Sequence, residues 1–423
     1  MGYVLDYVDE MNKAQYEENG DKVYLDNAEC SAEVISKGII LPYMRPGAGE
    51  GINAGGGCLD EDGNWMPQSA QRVVGAEISH GYAIEKEDCL YVDKKVVYFG
   101  AFHPHWGHFL TEQVGRCWYF AKHREEAANM YVAYVRKNDT CNCPMSGNYM
   151  EFLELLGIKK ENIIEVEKPT QFREVILPEL SCRMGVYYKK EYKETFDAIR
   201  DNVELKENTY SQVYMTRLKS KDLRSTQMGE KPIERLFRKN GFQTIAPEHL
   251  SLRKQVWLMK HCKHLATVSG TLPHNILFAN DGIKLTILNR DVVLNPYQLQ
   301  INRIRDAEVT YVDACIALLP VFAGGPFLLM MNDNVIRYAA DCHMKHKNNY
   351  ENPIGIHVKL AWYFFSYLDS MTESGIKRWN LDKKYGEYIM NHYGFYRNKL
   401  GYYDKRKVEV LRKCFYRLAK LFE

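Results

Sequence analysis

The chain has 423 residues, of which 46% are hydrophobic and 26% charged, and this composition excludes collagen-like, coiled-coil and disordered proteins. Its length exceeds what a single hydrophobic core usually serves and predicts two compact domains with an extension. A formal net charge of +2 argues against a protein that neutralises many phosphates, so we expect no nucleic-acid partner.

Residues 1–94 are the least regular part of the sequence and predict a β-rich lead. Gly49, Gly51 and Ala54 match the letters of a dinucleotide-binding fingerprint. That fingerprint needs a strand before it and a helix after it, whereas here prolines precede it and further glycines follow. We therefore interpret this patch as a loop and β-hairpin.

From residue 95 onward, short β-branched runs alternate with segments of helical period. The predicted strands are 96–100, 130–135, 162–166, 174–177, 213–217, 242–245, 264–268, 284–288 and 309–312. The predicted helices are 106–123, 149–156, 192–203, 232–239, 251–262, 273–279 and 297–305. Because such alternation builds parallel sheets, we predict an α/β protein with two Rossmann-like domains, 95–208 and 209–313, facing a cleft.

Residues 314–423 predict a C-terminal helical extension. It begins with an apolar run, 314–331, which carries no charge over 18 residues and approaches the length of a membrane span. Prolines and glycines inside the run would leave backbone polar groups without partners in hydrocarbon. We therefore interpret the run as a buried connection between two apolar segments.

The last segment, 405–423, predicts a basic amphipathic helix. It holds seven basic and two acidic residues, a net charge of +5. An apolar stripe at helical spacing is formed by Val408, Leu411, Phe415, Leu418 and Phe422. Two interpretations stay open: the helix lies on an anionic membrane surface, or it docks on the protein body with its charges in solvent.

The cysteines and the N-terminal residues indicate the cellular compartment of the protein. Eleven cysteines, an odd number without regular spacing, indicate reduced thiols rather than a disulfide framework. The first 18 residues include several acidic side chains, which a secretory signal or a basic transit peptide would not tolerate. We expect a cytoplasmic protein that can also lie peripherally on the inner face of the membrane through its tail.

Four polar side chains follow the first predicted strand of the 95–208 domain. On one continuous helix, His105, His108, Glu112 and Arg116 share a face at the strand end, where open α/β sheets bind ligands. A histidine beside a carboxylate can act as a general base, and the carboxylate could itself be the base. Arg116 would then contact an acceptor or a phosphate. Core histidines of a capped helix, or a metal site that includes His103, remain alternatives.

A turn in the second half could bind an anion. The predicted strand 264–268 ends at Ser269, Gly270 permits a close approach, and a helix begins near Pro273. Free N–H groups at such a helix start attract phosphate. A diphosphate would therefore lie against Gly270 and Thr271.

The residues nearby extend this candidate. His274 and Asn275 follow the turn directly. Arg217 ends another predicted strand and Arg224 lies in the loop after it. Two guanidiniums suit a nucleotide diphosphate, although solvated loop charges are an equally simple interpretation.

At these stretches the sequence resembles glycosyltransferase family 61, whose bacterial members are described as capsular polysaccharide biosynthesis proteins. The matching text is WGHFLTEQVGR, then TRLKSKDLRSTQMGEKPIERLF, then GFQTIAPEHLSLRKQVWLMKHCKHLATVSGTLPHNILF, in this order over about residues 95–290. Gly270 and Asn275 fit the family's last block. Ser269 stands where the family usually has histidine, and Thr271 where it has alanine. Glu230 matches the acidic member of the family's Asn-Glu pair.

The resemblance implies a GT-B fold and inversion at the anomeric carbon without an essential metal or cofactor. It implies that 209–313 holds most of a nucleotide-sugar donor, with Glu230 among the residues that bind it, and that 95–208 holds the acceptor. A UDP-sugar is favoured as donor, and a lipid-linked carrier or a polysaccharide as acceptor.

We therefore expect an inverting glycosyltransferase that extends a capsular or cell-wall polysaccharide. His108 or Glu112 would remove the acceptor proton, and His105 belongs to the same cluster. Arg217, Arg224 and the turn 269–275 would stabilise the departing diphosphate. Two alternatives remain: a non-catalytic scaffold of an assembly complex, motivated by Ser269 in place of histidine, and transfer of another phosphate-linked group such as glycerol phosphate.

Overall fold

The computed structural model describes residues 3–20, 22, 24–47, 51–137, 143–220, 226–319, 325–346, 352–370 and 405–422. The strands are β1 (Tyr3–Tyr7), β2 (Ala32–Ser36), β3 (Ile39–Met44), β4 (Asn53–Leu59), β5 (Gln71–Val73), β6 (Ala76–His80), β7 (Leu90–Phe102), β8 (Tyr131–Arg136), β9 (Ile163–Glu165), β10 (Thr170–Pro178), β11 (Cys182–Arg183), β12 (Tyr187–Tyr188), β13 (Gln212–Met215), β14 (Gln227–Met228), β15 (Gln243–Ile245), β16 (His264–Val268), β17 (Lys284–Asn289), β18 (Glu308–Asp313), β19 (Cys315–Ile316) and β20 (Phe327–Leu329).

Helices cover the two large sheets and form the C-terminal part. The α-helices within the described residues are α1 (Glu10–Gly20), α2 (Trp106–His108), α3 (Trp118–Lys122), α4 (Asn148–Leu155), α5 (Lys190–Asp201), α6 (Glu230–Lys239), α7 (Leu252–His261), α8 (Pro296–Ile304), α9 (Asp333–Asp341), α10 (Pro353–Ser370) and α11 (Lys405–Leu421). A 3-10 helix, Leu272–Phe278, stands where the sequence predicts a helix at 273–279.

The second half forms a sheet of six parallel strands in the spatial order β15-β13-β16-β17-β18-β1. Every strand predicted for 209–313 is present in it, which confirms the α/β interpretation of this half. Chain order reverses at β13, since β15 lies on one side of it and β16 on the other. Ligands of open α/β sheets bind outside the carboxyl ends of the strands at such a reversal.

The first half forms a nine-stranded mixed sheet in the order β5-β6-β4-β3-β10-β7-β8-β9, with β2 also paired to β10. Strands β10, β7, β8 and β9 run parallel, whereas β2 and β3 run antiparallel to β10. The predicted hairpin of the glycine-rich patch is the antiparallel pair β3 and β4. The sheet is therefore parallel in its core and extended by antiparallel strands.

The expected division at residue 94 does not coincide with a boundary of this structure. Strand β7 runs through it, and β2 to β6 belong to the same sheet as β7 to β10. In addition, β1 pairs in parallel with β18 at the edge of the other sheet. An alternating pattern shows that a segment is a strand but not which sheet it joins, so the lead cannot be assigned from sequence alone.

The apolar run 314–331 contains short strands rather than a helix in its described parts. β19 and β20 pair with each other, and β20 also pairs with β14, in a small three-stranded sheet. Residues 320–324 lie outside the described residues. Within the part of the chain that the structure describes, no helix is long and apolar enough to span a bilayer.

The C-terminal helix α11 packs on α10. Val408 is fully buried there, and the rings of Phe415 and Phe365 stack with centroids 5.4 Å apart. Nε of Arg412 lies 3.3 Å from Oδ2 of Asp369. The inner part of the predicted apolar stripe is thus used for docking, which supports the second interpretation of this segment, while its outer part faces solvent.

Candidate active site

The two sheets meet at the segment that follows β7. The indole Nε1 of Trp106 donates a hydrogen bond to Oδ1 of Asn275 at 3.1 Å. A β-carbon on Gly107 would lie 2.9 Å from Oγ1 of Thr271, so only glycine allows this close approach. The cleft therefore lies between the segment after β7 and the carboxyl ends of β13, β16 and β17.

The segment after β7 is not the continuous helix predicted for 106–123. One turn of α2 is followed by a π-helical turn, Phe109–Gln113, and a 3-10 turn, Val114–Arg116. These turns hold different numbers of residues, so the face projected with 3.6 residues per turn is lost beyond Glu112. π-Helical turns occur frequently at functional sites.

Arg116 points into the core as a result and has no exposed surface with which to contact an acceptor or a phosphate. Its Nε donates to the carbonyl of Pro178 at 2.9 Å, and its Nη2 donates to the carbonyls of Gln68 and Ala70. The expected role in substrate contact is therefore corrected to a structural one. Arg116 joins β10 to the segment before β5.

His108 and Glu112 form a pair on the cleft wall. Nδ1 of His108 lies 3.0 Å from Oε2 of Glu112, at ion-pair distance but without the alignment of a hydrogen bond. The same Oε2 accepts a hydrogen bond of 2.7 Å from the amide of Val74. Burial opposes ionisation of Glu112, but His108, Val74 and Arg72 outweigh it and hold the pKa of this carboxyl below its usual value. Glu112 is therefore an anion beside the imidazole of His108.

His105 adjoins this pair. The amide of His108 donates to Nδ1 of His105 at 3.4 Å, and the two rings meet edge to face with centroids 4.6 Å apart. Burial and the neighbouring His108 and His103 lower the pKa of His105 to about 4. In the described residues, no three His, Cys, Asp or Glu side chains converge to hold a metal ion.

Two guanidiniums converge on Gly270. A β-carbon there would lie 2.6 Å from Nη1 of Arg217 and 3.2 Å from Nη2 of Arg290, and Gly270 has φ of +119°. Nη1 of Arg217 donates to the carbonyl of Ser269 at 3.1 Å. Burial and Arg290 lower the pKa of Arg217 to about 9, and burial also lowers the pKa of Arg290. Both groups are thus cations close to each other in a poorly hydrated site.

Arg290 is the functional candidate that sequence reasoning missed. It follows β17 directly, and its amide donates to Oγ of Ser269 at 3.1 Å, while its Nε lies 3.9 Å from Oδ2 of Asp291 without a hydrogen bond in the described structure. The sequence signal that could have identified Arg290 is its position directly after a strand of the parallel sheet, the same pattern that identified Arg217. Arg224, the second arginine expected here, lies outside the described residues.

Glu230 lies beneath this pair rather than in the cleft. Its Oε1 accepts a hydrogen bond of 2.9 Å from the amide of Arg217, and its Oε2 accepts one of 2.8 Å from Nε2 of Gln227. Only 1% of the residue is exposed, and burial raises the pKa of its carboxyl to about 7. Glu230 therefore positions the backbone that carries Arg217.

We expect Glu230→Gln to stabilise the protein more at pH 8 than at pH 5. Because the folded-state pKa lies above the unfolded value of 4.5, stability is full below pH 4.5 and falls as pH rises toward 7. The neutral amide of glutamine removes this pH-dependent loss of folding stability, which amounts to at most about 3 kcal/mol. Gln227 can rotate its amide to accept from the new one, since its own Oε1 lacks a partner in the described structure.

Urea unfolding of both proteins at the two pH values measures the difference. Glu125→Gln changes an exposed carboxyl on a surface turn and is the matched control. A Glu230→Gln effect of equal size at pH 5 and pH 8 would contradict this prediction.

Three cavities open along the cleft. One of about 430 Å³ lies between Trp106 and Arg217, at the reversal between β13 and β16. One of about 240 Å³ lies beside Glu112 and Tyr297. One of about 370 Å³ lies on the far side of Gly270, beside the Arg290 site. Glu112, Arg217 and Arg290 therefore line three different cavities of this region.

The structure brings most of the predicted side chains to this cleft. His105, His108 and Glu112 lie on one wall, and Arg217 with the turn from Ser269 to Asn275 lies on the other. His274 hydrogen-bonds through Nδ1 to Gln298 and is electrostatically coupled to His105 and His108.

A comparison with known families bears on the remaining interpretations. Residues 106–286 match the family model Glycosyltransferase 61. The glycosyltransferase 61 match supports a transferase with sugar donor and acceptor substrates, as the sequence resemblance implied. It includes His108, Glu112, Arg217 and the turn after β16, whereas Arg290 lies just beyond it. No curated protein matches the chain at a significant level.

Proposed function

We propose that the protein is an inverting glycosyltransferase that moves a sugar from a nucleoside-diphosphate sugar to a hydroxyl of a capsular or cell-wall polysaccharide. The observation that carries the proposal is the pair of guanidiniums, Arg217 and Arg290, that converge on Gly270. Two partly buried like charges repel each other, and a diphosphate relieves that repulsion while accepting charge-assisted hydrogen bonds from both. The organisation of two sheets around a cleft supports a GT-B-like arrangement.

The cavities suit the two substrates of such a reaction. The cavity of about 430 Å³ at the strand reversal is large enough for a nucleoside, and the aromatic rings of Trp106 and Tyr149 contribute to its wall. The cavity of about 240 Å³ beside Glu112 lies within reach of the proposed base and suits the acceptor. A UDP-sugar is our proposed donor, and a lipid-linked or polysaccharide chain is our proposed acceptor.

The proposed reaction is a single displacement. The acceptor oxygen forms a bond to the anomeric carbon while the bond from that carbon to the diphosphate breaks. His108 takes the acceptor proton, and the anionic Glu112 stabilises the imidazolium that results. Arg217 and Arg290 stabilise the negative charge that develops on the departing diphosphate. Attack from the face opposite the leaving group inverts the configuration.

The first test is ligand-induced stabilisation. We expect UDP or another nucleoside diphosphate to raise the melting temperature, with a chelator present, because a ligand that binds only the folded state stabilises it. A nucleoside diphosphate at 100 times its Kd adds about 2.7 kcal/mol. Failure of every nucleoside diphosphate in such a panel would contradict the proposed function, whereas stabilisation by inorganic phosphate alone would indicate a simple anion site.

The outer face of α11 supports contact with an anionic membrane. Val410, Leu418 and Leu421 are 59%, 45% and 78% exposed on one side of the helix, although the inner stripe is docked. The exposed cations Lys413 and Arg417 flank them. Apolar side chains between basic ones suit a helix that lies in the interface of an anionic bilayer.

We expect Leu418→Glu/Leu421→Glu to bind vesicles with anionic lipid roughly tenfold more weakly than the parent protein, because two exposed leucines that would insert into the bilayer interface are replaced by carboxylates. Sedimentation with phosphatidylserine vesicles measures this binding. Met11→Glu, which changes an 85% exposed side chain on α1, is the control. Equal vesicle binding by the double variant and the parent would show that α11 serves only to cover α10.

A further inference from the structure

A chain of buried polar side chains runs from the cleft into the second half. Nδ1 of His274 lies 2.7 Å from Oε1 of Gln298, and Nε2 of Gln298 donates to Oδ1 of Asn302 at 2.7 Å. Nδ2 of Asn302 then donates to the hydroxyl of Tyr311 at 3.0 Å. All four residues are at most 4% exposed. They come from the 3-10 helix after β16, from α8 and from β18.

The orientation of the two amides in this chain determines the tautomer of His274. In the structure Gln298 directs its nitrogen to Asn302, so its oxygen faces His274 and accepts a hydrogen bond. In this orientation the proton of the neutral imidazole is on Nδ1, and Nε2 carries the lone pair. Burial lowers the pKa of His274 to about 4, which keeps the ring neutral near pH 7.

Nε2 of His274 is available to a ligand. Within the described residues, the imidazole of His274 makes its hydrogen bond through Nδ1, to Gln298. Its Nε2 retains some contact with solvent. The ring follows Gly270 by four residues, and the next residue, Asn275, accepts a hydrogen bond from Trp106 on the opposite wall. His274 therefore belongs to the segment that leads from the paired guanidiniums to the wall that carries the proposed base.

We propose that Nε2 of His274 accepts a hydrogen bond from a hydroxyl of the transferred sugar, and that Gln298 is the positioning residue that keeps Nε2 unprotonated. The inference rests on the proposed function, because the sugar must lie between the departing diphosphate and the base. A neutral acceptor of fixed tautomer selects for a hydroxyl at one ring position and leaves the protein with an unpaired nitrogen when that hydroxyl is missing.

The test measures affinity rather than turnover, so it needs no acceptor substrate. The nucleoside-diphosphate hexose that stabilises the protein most is compared by calorimetry with its monodeoxy forms. We expect one monodeoxy form to bind the parent protein about 10- to 100-fold more weakly, and this ratio to fall to about 1 in His274→Phe. Affinity for the free nucleoside diphosphate should change less than threefold.

Variants at position 298 separate positioning from folding. Gln298→Glu keeps an acceptor opposite Nδ1 and should retain the preference for the hydroxyl, while its carboxylate makes His274 easier to protonate. The preference should then disappear as pH falls, at a higher pH than in the parent protein. Gln298→Leu lacks the acceptor and should lose most of the preference at every pH.

The outcomes distinguish the two proposals. If the deoxy preference persists in His274→Phe or in Gln298→Leu, or if no monodeoxy form binds more weakly, the role of His274 is overturned while the proposed function stands. If no sugar nucleotide or nucleoside diphosphate binds the parent protein, the proposed function and this inference both fall.

Discussion

Replacing Arg290 with methionine is expected to weaken nucleoside-diphosphate binding about 10- to 100-fold and to change the stability of the ligand-free protein little. Arg290 is a largely buried cation beside Arg217, and its Nε lies 3.9 Å from Oδ2 of Asp291. An apolar side chain of similar size removes the repulsion from Arg217, but it also removes the ion-pair partner of Asp291, so the two contributions to stability oppose each other.

The replacement also removes one aromatic contact. The guanidinium of Arg290 lies over the ring of Phe327 at 4.0 Å from its centroid, and loss of this contact costs about 1 kcal/mol. Methionine keeps most of the packing against that ring. Melting temperatures with and without UDP, together with calorimetric Kd values, measure both effects.

A matched control comes from the other sheet. Arg173 pairs with Asp93 at 3.1 Å on an exposed surface, so Arg173→Met should leave both stability and UDP binding nearly unchanged. An Arg290→Met protein that retains the full melting-temperature shift with UDP would contradict the assignment of the two guanidiniums to a diphosphate.

Replacing His108 with alanine is expected to lower the rate of sugar transfer by about 10²- to 10⁴-fold, the usual contribution of a general base. Nucleoside-diphosphate affinity should stay within about threefold, because His108 lies on the opposite wall of the cleft from Arg217 and Arg290. Glu112→Gln should have a smaller effect, since it keeps the side-chain shape and removes only the charge that stabilises the imidazolium.

Product formation and UDP affinity must be measured on the same preparations. His357→Ala alters an exposed histidine of α10 and is the control for loss of a histidine as such. If His108→Ala transfers sugar at the parent rate while Glu112→Gln does not, Glu112 is the base. If neither variant slows transfer, the pair has no role in proton removal.

The sequence predicted the second half well because its strands are buried on both faces. Continuous apolar runs separated by amphipathic helices leave little ambiguity, and all the strands predicted for 209–313 are present. The first half was predicted less completely. Its parallel strands were identified, but the antiparallel strands before β7 join the same sheet through pairings distant in sequence, for which a local pattern carries no information.

The candidate site was predictable where it depends on strand ends. Arg217 and the turn at Gly270 follow adjacent parallel strands, so sequence alone brings them to one edge. Arg116 was predicted wrongly because a π-helical turn and a 3-10 turn change the helical phase, which no residue spacing reveals. The partners of His274 could not be predicted either, since Gln298 and Asn302 resemble ordinary polar residues of an amphipathic helix.

The pairing of β1 with β18 has a consequence for the order in which the molecule can fold. Tyr3 lies opposite Val309, so β1 pairs with a strand that is synthesised some 300 residues later. Helix α1 is held in the same way, because the amide of Asp9 and Nδ2 of Asn12 donate to the carboxylate of Asp313. Pairing across such a separation carries a large loop-closure entropy and is intrinsically slow.

The six-stranded sheet therefore cannot be completed while the nine-stranded sheet is being synthesised. The edge of β18 stays unpaired until β1 returns, and Tyr16, which contributes to the wall of the 370 Å³ cavity beside Arg290, arrives with it. Strand β1 and helix α1 precede the first half in sequence but pack on the second sheet. Cutting the chain near residue 208 would therefore not yield two independent folding units.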